Sequence, residues 1–360
     1  MIQVLLRWFH RYFSDPQAIL LAVLLAVGLT VFMTFGKMLV PVFASVVIAY
    51  LLEGIISNLR FLRLPRAAAV TLVYSGFLAL LLITLFILMP LLSRQISQLF
   101  QELPRMMTQG QELFMQLPQR YPNIISAEQV DALMNAIRTG VKDFGQELLS
   151  YSLSSIPALI TLLVYLVLVP LLVFFFLKDK VLILNWFIGF LPPERPVAVQ
   201  VWKEMDAQIG NYIRGKVYEI FVVSIATYIA FAIMNLNYSF LLAVLVGLSV
   251  IIPYIGAVVV TVPVIIVAYF QFGLGSEFIW LLSIYSIVQG IDGNILVPLL
   301  FSEAVNLHPV AIIVAVLIFG GLWGFWGIFF AIPLATLVKA LLMAWPRATV
   351  PVNQSSFPFY

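Results

Sequence analysis

Long uninterrupted apolar runs constrain this chain more than any other feature of its sequence. Several of them reach the ~20 residues that an α-helix needs to cross a bilayer. The sequence is 63% hydrophobic and only 10% charged, whereas soluble domains carry about a quarter charged residues. The runs are continuous rather than alternating, which excludes a transmembrane β-barrel and leaves helices that satisfy their own backbone hydrogen bonds. The sequence therefore predicts an all-α polytopic membrane protein with about eight transmembrane helices.

Composition divides the chain into four predicted parts. Charged residues and glutamine rise sharply after the third apolar run, and Ser126 with Gln129 resembles a capping box there. The parts are an N-terminal interfacial helix with three transmembrane helices at 1–92, an extramembrane helical insert at 93–155, a C-terminal transmembrane region at 156–345 that holds an amphipathic interfacial helix at about 196–214, and a disordered tail at 346–360.

Clustered basic residues set the predicted orientation. They occur at Arg7 and Arg11, in the loop from Arg60 to Arg66, and between Lys178 and Lys216. If the spans alternate, all of these fall on one side, which the positive-inside rule identifies as the cytoplasmic side. Both termini are then predicted to be cytoplasmic, and the insert at 93–155 lies outside. Arg214 and Lys216 are predicted to be interfacial anchors that contact anionic lipid.

The last third of the chain does not fit ordinary span counting. Its apolar runs are short, and proline or glycine interrupts them, which favours re-entrant or broken helices. Glycines at 320–327 have a second interpretation, close contact between packed helices. The predicted breaks or hinges are Pro253, Gly256, Gly290, Gly293, Pro298, Pro309, Gly320, Gly321, Gly324 and Gly327.

Residues 289–309 concentrate polar side chains between two apolar runs. Polar residues at membrane depth commonly mark ion or substrate routes, and broken helices carry the binding sites of many transporters. The predicted transport or coupling residues are Asp292, Asn294, Gln289, Glu303 and His308. The alternative is that this stretch is a loop at the membrane surface, whose polar side chains face water.

Each candidate has its own chemistry. Asp292 is the first choice for a coupling carboxylate, because a carboxyl group in a low-dielectric site can exchange protons near neutral pH; its alternative is an exposed turn residue. His308 titrates near physiological pH, but it also precedes a proline and can simply end a loop. Asn294 and Gln289 can donate hydrogen bonds to a polar cargo, and Glu303 can pair with a base or face water. Glu219 is predicted to complement a helix amino terminus.

Several classes of function are excluded by the residues. No nucleophile elbow, paired-histidine zinc motif or phosphate loop occurs, so no catalytic residues and no metal site are predicted. With no cysteine and two histidines, neither a disulfide framework nor a multi-histidine metal centre is expected. The net charge of +3 carries no signal for nucleic acid. No cofactor is expected.

Four segments, in order, resemble a known family. They are NYIRGK at 211–216, IPYIGAVVVTVP at 252–263, DGNILVP at 292–298, and NLHPVAIIVAVLIFGGLWGFWGIFFAIPLATLVKAL at 306–341. Together they resemble the autoinducer-2 exporter family of bacterial inner-membrane proteins, in particular its PerM-type permeases. Asp292 stands where many members carry glutamate, whereas Ser302, Glu303 and Asn306 depart from the family's glycine, basic and small residues.

The resemblance implies about eight membrane helices, a soluble insert after the third, a homo-oligomer and a transport role in the bacterial inner membrane. It implies either export of the signalling molecule autoinducer-2 or sodium/proton exchange. The expected partners are therefore a small polar solute or an ion, namely a proton or sodium, together with membrane lipids. A passive channel and a membrane scaffold whose insert binds a partner remain alternatives to a secondary transporter.

Overall fold

The computed structural model describes residues 16–36, 38–61, 63–120, 126, 128–132, 135–136, 138–140, 143, 156–193, 196–301 and 307–344. In this part of the chain all regular structure is helical and no strand occurs, which confirms the prediction of an all-α membrane fold. Seven of the described helices are long and apolar enough to cross a membrane. The count of eight and the re-entrant segments stay predictions. The interfacial helix at 1–14 and the tail at 346–360 lie outside the described residues.

Thirteen α-helices and two π-helical segments have their bounds within the described residues. They are α1 (Pro16–Phe35), α2 (Val40–Phe61), α3 (Arg66–Ile83), π1 (Thr84–Leu88), α4 (Met89–Arg120), α5 (Ile156–Lys178), α6 (Lys180–Gly189), α7 (Pro196–Ile233), α8 (Ser239–Ser249), α9 (Ile255–Phe272), α10 (Ser276–Ile291), π2 (Asp292–Leu296), α11 (Val297–Phe301), α12 (Pro309–Phe329) and α13 (Ala331–Ala344).

Two packed groups of helices organise the described chain. Helices α2, α3 and α5 pack on one another around a buried cluster that includes Ile56, Val73 and Val173. Helix α7 is the centre of the second group, because it contacts α8, α10, α11, α13 and π2. Helix α2 also touches α7 and thereby joins the two groups.

Helix α7 is one continuous helix of 38 residues. The sequence predicted an interfacial helix at about 196–214 followed by a separate span, and the structure corrects this. No helix breaker stands between Arg214 and Val217, since Gly215 lowers helix propensity but does not remove a hydrogen bond. Gly215 instead allows close packing, because a Cβ there would lie 2.7 Å from the ring of Phe301. The amphipathic segment is thus the first half of the central helix.

The third predicted span also runs on without a break. Helices α3 and α4 are joined through π1 into one rod from Arg66 to Arg120. The proposed boundary at residue 93 is therefore a change of composition and not an end of a helix. At 1.5 Å per residue, Gln95 lies about 44 Å along this rod from Arg66. The two residues are therefore farther apart than the ~30 Å thickness of the hydrocarbon core, and we call their levels the Arg66 end and the Gln95 end.

Contacts assign other elements to these two ends. At the Arg66 end, the carboxylate of Glu53 binds Arg66 at 3.2 Å and Lys180 at 3.3 Å. At the Gln95 end, Oε1 of Gln95 accepts a hydrogen bond from the backbone N–H of Leu241 at 2.8 Å. The loops rich in basic residues therefore lie at the end opposite to the start of α8.

Each π-helical segment ends two residues before a proline. Segment π1 precedes Pro90 and π2 precedes Pro298. A proline ring clashes with the carbonyl four residues earlier, and a widened turn relieves that clash. Pro170 lies inside α5 without such a widening, so a proline alone does not require one.

Helices α8 and α9 form a hairpin that opens toward the Gln95 end. Gln271, near the end of α9, accepts a hydrogen bond from the backbone N–H of Asn237 and donates one to the carbonyl of Asn235, both at 2.7 Å. The reversal occurs between Ser249 and Ile255, where Tyr254 adopts a φ of 63°. With 11 residues, α8 extends about 16 Å, roughly half of the ~30 Å hydrocarbon core.

Helices α12 and α13 form a second hairpin. Within α12, Gly324 has φ 59° and ψ −133°, a backbone conformation open to glycine and strained for other residues. A Cβ on Gly327 would overlap the carbonyl oxygen of Phe319, although these residues would be about 12 Å apart in a straight helix. The chain therefore folds back at Gly324, and the apolar run does not form one straight span.

The predicted capping box is present in the insert. The backbone N–H of Ser126 donates to Oε1 of Gln129 at 3.1 Å, and the N–H of Gln129 donates to Oγ of Ser126 at 3.2 Å. These reciprocal bonds satisfy two backbone donors that the first helical turn leaves without partners. The described insert residues that follow are helical.

Candidate functional site

The reversals of the two hairpins meet beside the middle of α7. Ile251, from the α8–α9 reversal, belongs to the same buried cluster as Phe329 of the α12 reversal and Tyr212 of α7. Ile252 packs with Ile328 on a second cluster centred on Ala331. Interrupted helices of this kind place backbone carbonyls and helix ends inside a protein, where they can face polar groups.

A buried ion pair lies at this junction. The Nζ atom of Lys216 is 2.7 Å from Oε2 of Glu219, and the side chains are only 5% and 3% exposed. Nζ also donates a hydrogen bond of 2.8 Å to the carbonyl oxygen of Val250, in the α8–α9 reversal. The pair is three residues apart on α7, so both side chains share one face of the helix. The reversal of the first hairpin is thus bonded directly to this pair.

Asp292 adds a second carboxylate to the junction. It is the first residue of π2, which packs on α7, and its charge interacts with those of Lys216 and Glu219. Its Oδ1 atom is buried and has no hydrogen-bond partner among the described residues. We call Lys216, Glu219 and Asp292 the charge cluster. It contains one ammonium and two carboxylates within apolar surroundings.

A group of aromatic rings lies beside Lys216. The Nζ atom of Lys216 lies 5.1 Å from the centroid of the Phe301 ring. The ring of Tyr212 lies 5.7 Å from Phe301 and 6.3 Å from Phe329. Such rings attract the ammonium and help to exclude water. The buried charges of Lys216 and Glu219 therefore interact more strongly than they would in water.

A polar chain of hydrogen bonds lies one helical turn before Asp292. Nε2 of Gln289 donates to the hydroxyl of Tyr285 at 2.9 Å, and that hydroxyl lies 2.9 Å from Oγ1 of Thr261. Thr261 in turn donates to the carbonyl of Ala257 at 2.7 Å. These groups line an open pocket of about 370 Å³ between α9 and α10. The pocket offers uncharged hydrogen-bonding groups on an otherwise apolar wall.

The other predicted polar residues have more ordinary surroundings. Asn294 is exposed, and its Nδ2 donates to the carbonyl of Gly290 at 2.8 Å. His308 is the exposed N-cap of α12, where Nδ1 accepts from the backbone N–H of Val310 at 3.3 Å. Capping accounts for the position of His308. Glu303, together with Ser302 and Asn306, lies outside the described residues.

Some of the predicted breaks lie at reversals of the chain, whereas others lie within continuous helix. Pro253 and Gly256 lie at the α8–α9 reversal, and a Cβ on Gly256 would overlap the carbonyl oxygen of Ser249. Gly324 and Gly327 form the α12 reversal. Gly320 packs closely on Ile328 there, whereas Gly321 meets nothing within 4 Å.

Three other predicted breaks do not interrupt the chain. Gly290, Gly293 and Pro298 lie within the continuous helix that α10, π2 and α11 form. The structure corrects the prediction here, because a widened turn absorbs the proline and no loop is needed. Pro309 is the first residue of α12, the helical position that tolerates a missing N–H.

Lys216 differs from the predicted lipid anchor. The lipid contact of the half-buried Arg214 stays a prediction. Lys216 is 4% exposed and bound within the protein, so its side chain does not reach a lipid headgroup in this structure. The guanidinium of Arg214 lies 5.8 Å from the ring centroid of Tyr50 in α2, and it donates to Oδ1 of Asn211 at 3.1 Å. Both side chains therefore serve contacts between helices.

Sequence reasoning missed the role of Lys216 and Glu219 because their helix was divided at the wrong place. With a helix start at residue 217, Glu219 sits in a first turn, where an acid is ordinary. With the continuous α7, both charges stand in mid-helix. A lysine and a glutamate three residues apart, directly before the apolar run from Ile220 to Met234, were the available signal.

The described residues contain no group of three or more histidine, cysteine, aspartate or glutamate side chains that could hold a metal ion. The charge cluster provides no nucleophile with an adjacent base, which acyl or phosphoryl transfer would need. Two interacting carboxylates beside one ammonium can hold or exchange a proton or a cation.

Comparison with known proteins relates this chain to a family of transporters. Residues 7–347 match the family described as "AI-2E family transporter". The protein named "Putative permease PerM" of Escherichia coli (strain K12) is 50% identical over 350 residues, which cover 97% of this chain and 99% of that protein. "Putative transport protein YueF" of Bacillus subtilis (strain 168) is 26% identical, over 82% of this chain and 81% of that protein.

Proposed function

This chain belongs to the AI-2E transporter family and is therefore a transporter and not an enzyme; we propose that it is a secondary-type transporter that moves a small polar solute across the bacterial inner membrane in exchange for protons. The second candidate cargo is an ion such as sodium, again in exchange for protons. A permease of this kind uses no cofactor. The proposal extends the family assignment to a mechanism, which the charge cluster supports.

The charge cluster is the observation that carries the proposal. Charged side chains inside a membrane helix bundle are costly and are kept mainly where ions or protons move. Asp292 is the proposed proton carrier, because its buried Oδ1 lacks a hydrogen-bond partner among the described residues. The charged or titratable groups around it are Lys216 and Glu219, with Tyr212 close to Glu219.

The two hairpins support a pathway that is closed at mid-depth. Helix α8, with 11 residues, and the part of α12 before its reversal, from Pro309 to Trp323, are each shorter than the ~20 residues of a full crossing. We therefore propose that both hairpins re-enter the membrane and that their reversals meet near its midplane. Irregular backbone at that depth is tolerated where it is covered by protein or lines a wet cavity.

The pocket beside Gln289 is the proposed place of the solute. Its hydroxyl and carboxamide groups suit an uncharged solute with hydrogen-bonding groups, and its size suits a small molecule. Gln289 and Asp292 are three residues apart on one face of the helix. Because about one helical turn separates Gln289 from Asp292, binding of the solute in the pocket can be coupled to the protonation of Asp292.

Flux measurements in proteoliposomes test the proposal. A panel of small polar solutes and of sodium is offered with and without an inward or outward proton gradient. We expect at least one cargo to accumulate against its own gradient when a proton gradient is imposed. Passage that only follows the gradient of the cargo indicates the passive channel instead.

A scaffold function predicts a different pattern. Changes confined to the charge cluster then leave the cellular phenotype intact, whereas removal of the insert abolishes it. A homo-oligomer, and a cytoplasmic location of both termini, complete the proposal. Cross-linking in membranes tests the oligomer.

A further inference from the structure

We propose that Lys216 is the switching residue of the transport cycle and that it exchanges its carboxylate partner between Glu219 and Asp292. The inference rests on the proposed transport function and deepens it, since it names the group that moves when the coupling charge is bound. In the conformation described here Lys216 is paired with Glu219.

The charge cluster is not electrically balanced. One ammonium and two carboxylates leave one negative charge without an internal partner. Glu219 already holds Lys216 at 2.7 Å, so the uncompensated charge belongs to Asp292. Asp292 is only half-buried, but its Oδ1 atom is fully buried without a hydrogen-bond partner among the described residues. A charge held there is costly, and proteins relieve such a charge by protonation or by a counter-ion.

A second carboxylate, that of Asp292, lies within electrostatic reach of Lys216. Glu219 lies on its own helix, and Asp292 lies on π2, which packs against that helix. The charge of Lys216 interacts with Asp292 as well as with Glu219. A lysine side chain is a flexible four-carbon stem that carries a point charge, so its ammonium can reorient from one carboxylate toward another.

The exchange is connected to the α8–α9 reversal through a hydrogen bond of Lys216. Lys216 also donates to the carbonyl of Val250 at 2.8 Å, within the α8–α9 reversal. If Lys216 turns toward Asp292, this bond is lost and the carbonyl of Val250 loses its ammonium donor. Transfer of a proton from Asp292 to Glu219 therefore lets Lys216 turn to the newly charged Asp292 and releases the first hairpin from α7. The exchange of partners by Lys216 thus links the protonation of the cluster to movement of the first hairpin.

A purely structural ion pair is the competing explanation, and the two differ in measurable ways. Replacement of both members of a buried pair by apolar residues of similar volume commonly preserves or raises stability. A static pair is therefore dispensable when both members are replaced together, whereas a switching lysine is not.

The first experiment measures stability and needs no cargo. Purified full-length protein is prepared as the parent, D292N, E219Q and E219Q/D292N, and the midpoint of thermal unfolding is measured for each. If Lys216 moves to Asp292 when Glu219 is neutral, D292N lowers the midpoint by several degrees more in the E219Q background than in the parent. Equal shifts in the two backgrounds overturn the proposal. E277Q, at an exposed acid of α10, is the matched control and is expected to give equal shifts.

The second experiment measures flux with the double variant K216M/E219M. We expect its thermal midpoint to equal or exceed that of the parent, with coupled flux at least tenfold slower. Parent-like flux in the folded double variant overturns the proposal. If the double variant does not fold, the thermal experiment decides alone. If the parent transports no member of the panel, the proposed function fails, whereas the thermal experiment still reports whether Lys216 changes partner.

Discussion

Nζ of Lys216 lies 2.7 Å from Oε2 of Glu219, and neither side chain is more than 5% exposed. The pair stands in the middle of the central helix, beside the reversals of both hairpins. Removal of one member leaves the other as an uncompensated charge in an apolar environment. Replacement of either member alone is therefore expected to lower the stability of the fold.

Single substitution of the buried lysine is predicted to destabilise the fold. Lys216→Met leaves Glu219 unpaired, and we expect unfolding to become easier by about 3–5 kcal/mol. Thermal unfolding followed by tryptophan fluorescence measures the change. Lys203→Met, at an exposed position of the same helix, is the matched control and is expected to change stability by less than about 0.5 kcal/mol. An equal loss of stability in the two variants would contradict the prediction that burial of Lys216 makes its removal costly.

Removal of the charge at Asp292 is predicted to uncouple transport from the proton gradient. Asp292→Asn keeps the shape of the side chain and removes its exchangeable charge. We expect loss of pH-dependent uphill flux with exchange of cargo down its own gradient retained. Flux is measured in proteoliposomes across a range of pH, with Glu277→Gln as the control on the same helix. A pH profile like that of the parent would exclude Asp292 as the coupling residue.

The glycine at the first reversal is predicted to tolerate no side chain. A Cβ on Gly256 overlaps the backbone carbonyl of Ser249, and backbone cannot yield as a flexible side chain can. We expect Gly256→Ala to cost about 1–3 kcal/mol of stability through overpacking. Gly290→Ala is the control, because nothing lies within 4 Å of its added Cβ. Comparison of thermal midpoints tests both, and a Gly256→Ala protein as stable as the control contradicts the close approach.

The widened turn at π2 is predicted to depend in part on Pro298. Pro298→Ala restores a backbone N–H and removes the ring clash, so π2 can revert to an α-helix. Loss of the extra residue rotates the helix by about 100° on one side of the change. Because the chain has no cysteine, single cysteines at positions such as 299 and 301 can be labelled without background. We expect their labelling pattern to change with Pro298→Ala; an unchanged pattern indicates that packing alone holds the widened turn.

The orientation of the chain is predicted from its basic residues. The loops near Arg66 and Lys180 are expected on the cytoplasmic side, and the insert is expected on the opposite side. Reporter fusions at residue 130 and at the carboxyl terminus measure the side of each. A cytoplasmic signal at residue 130 reverses the predicted orientation.

Much of the local structure was predictable from short-range rules. The Ser126–Gln129 capping box and the reversal around Pro253–Gly256 depend on backbone chemistry within a few residues, and they occur as the pattern indicates. The helix ends near Arg214 and Gly290 were predicted wrongly. Polar and glycine residues were taken there as surface or loop, whereas packing against other helices holds them within continuous helix.

The sequence by itself determined the all-α membrane class, because the cost of burying an unpaired backbone group in lipid depends only on apolar composition and run length. It also determined most positions where the chain must turn, because proline and glycine act on their own backbone. Only the tertiary structure decided that Lys216, Glu219 and Asp292 form one cluster. They come together because α7 packs against π2 and the first hairpin. Lys216 and Asp292 are 76 positions apart in sequence, and an electrostatic interaction across such a separation leaves no local periodic signal.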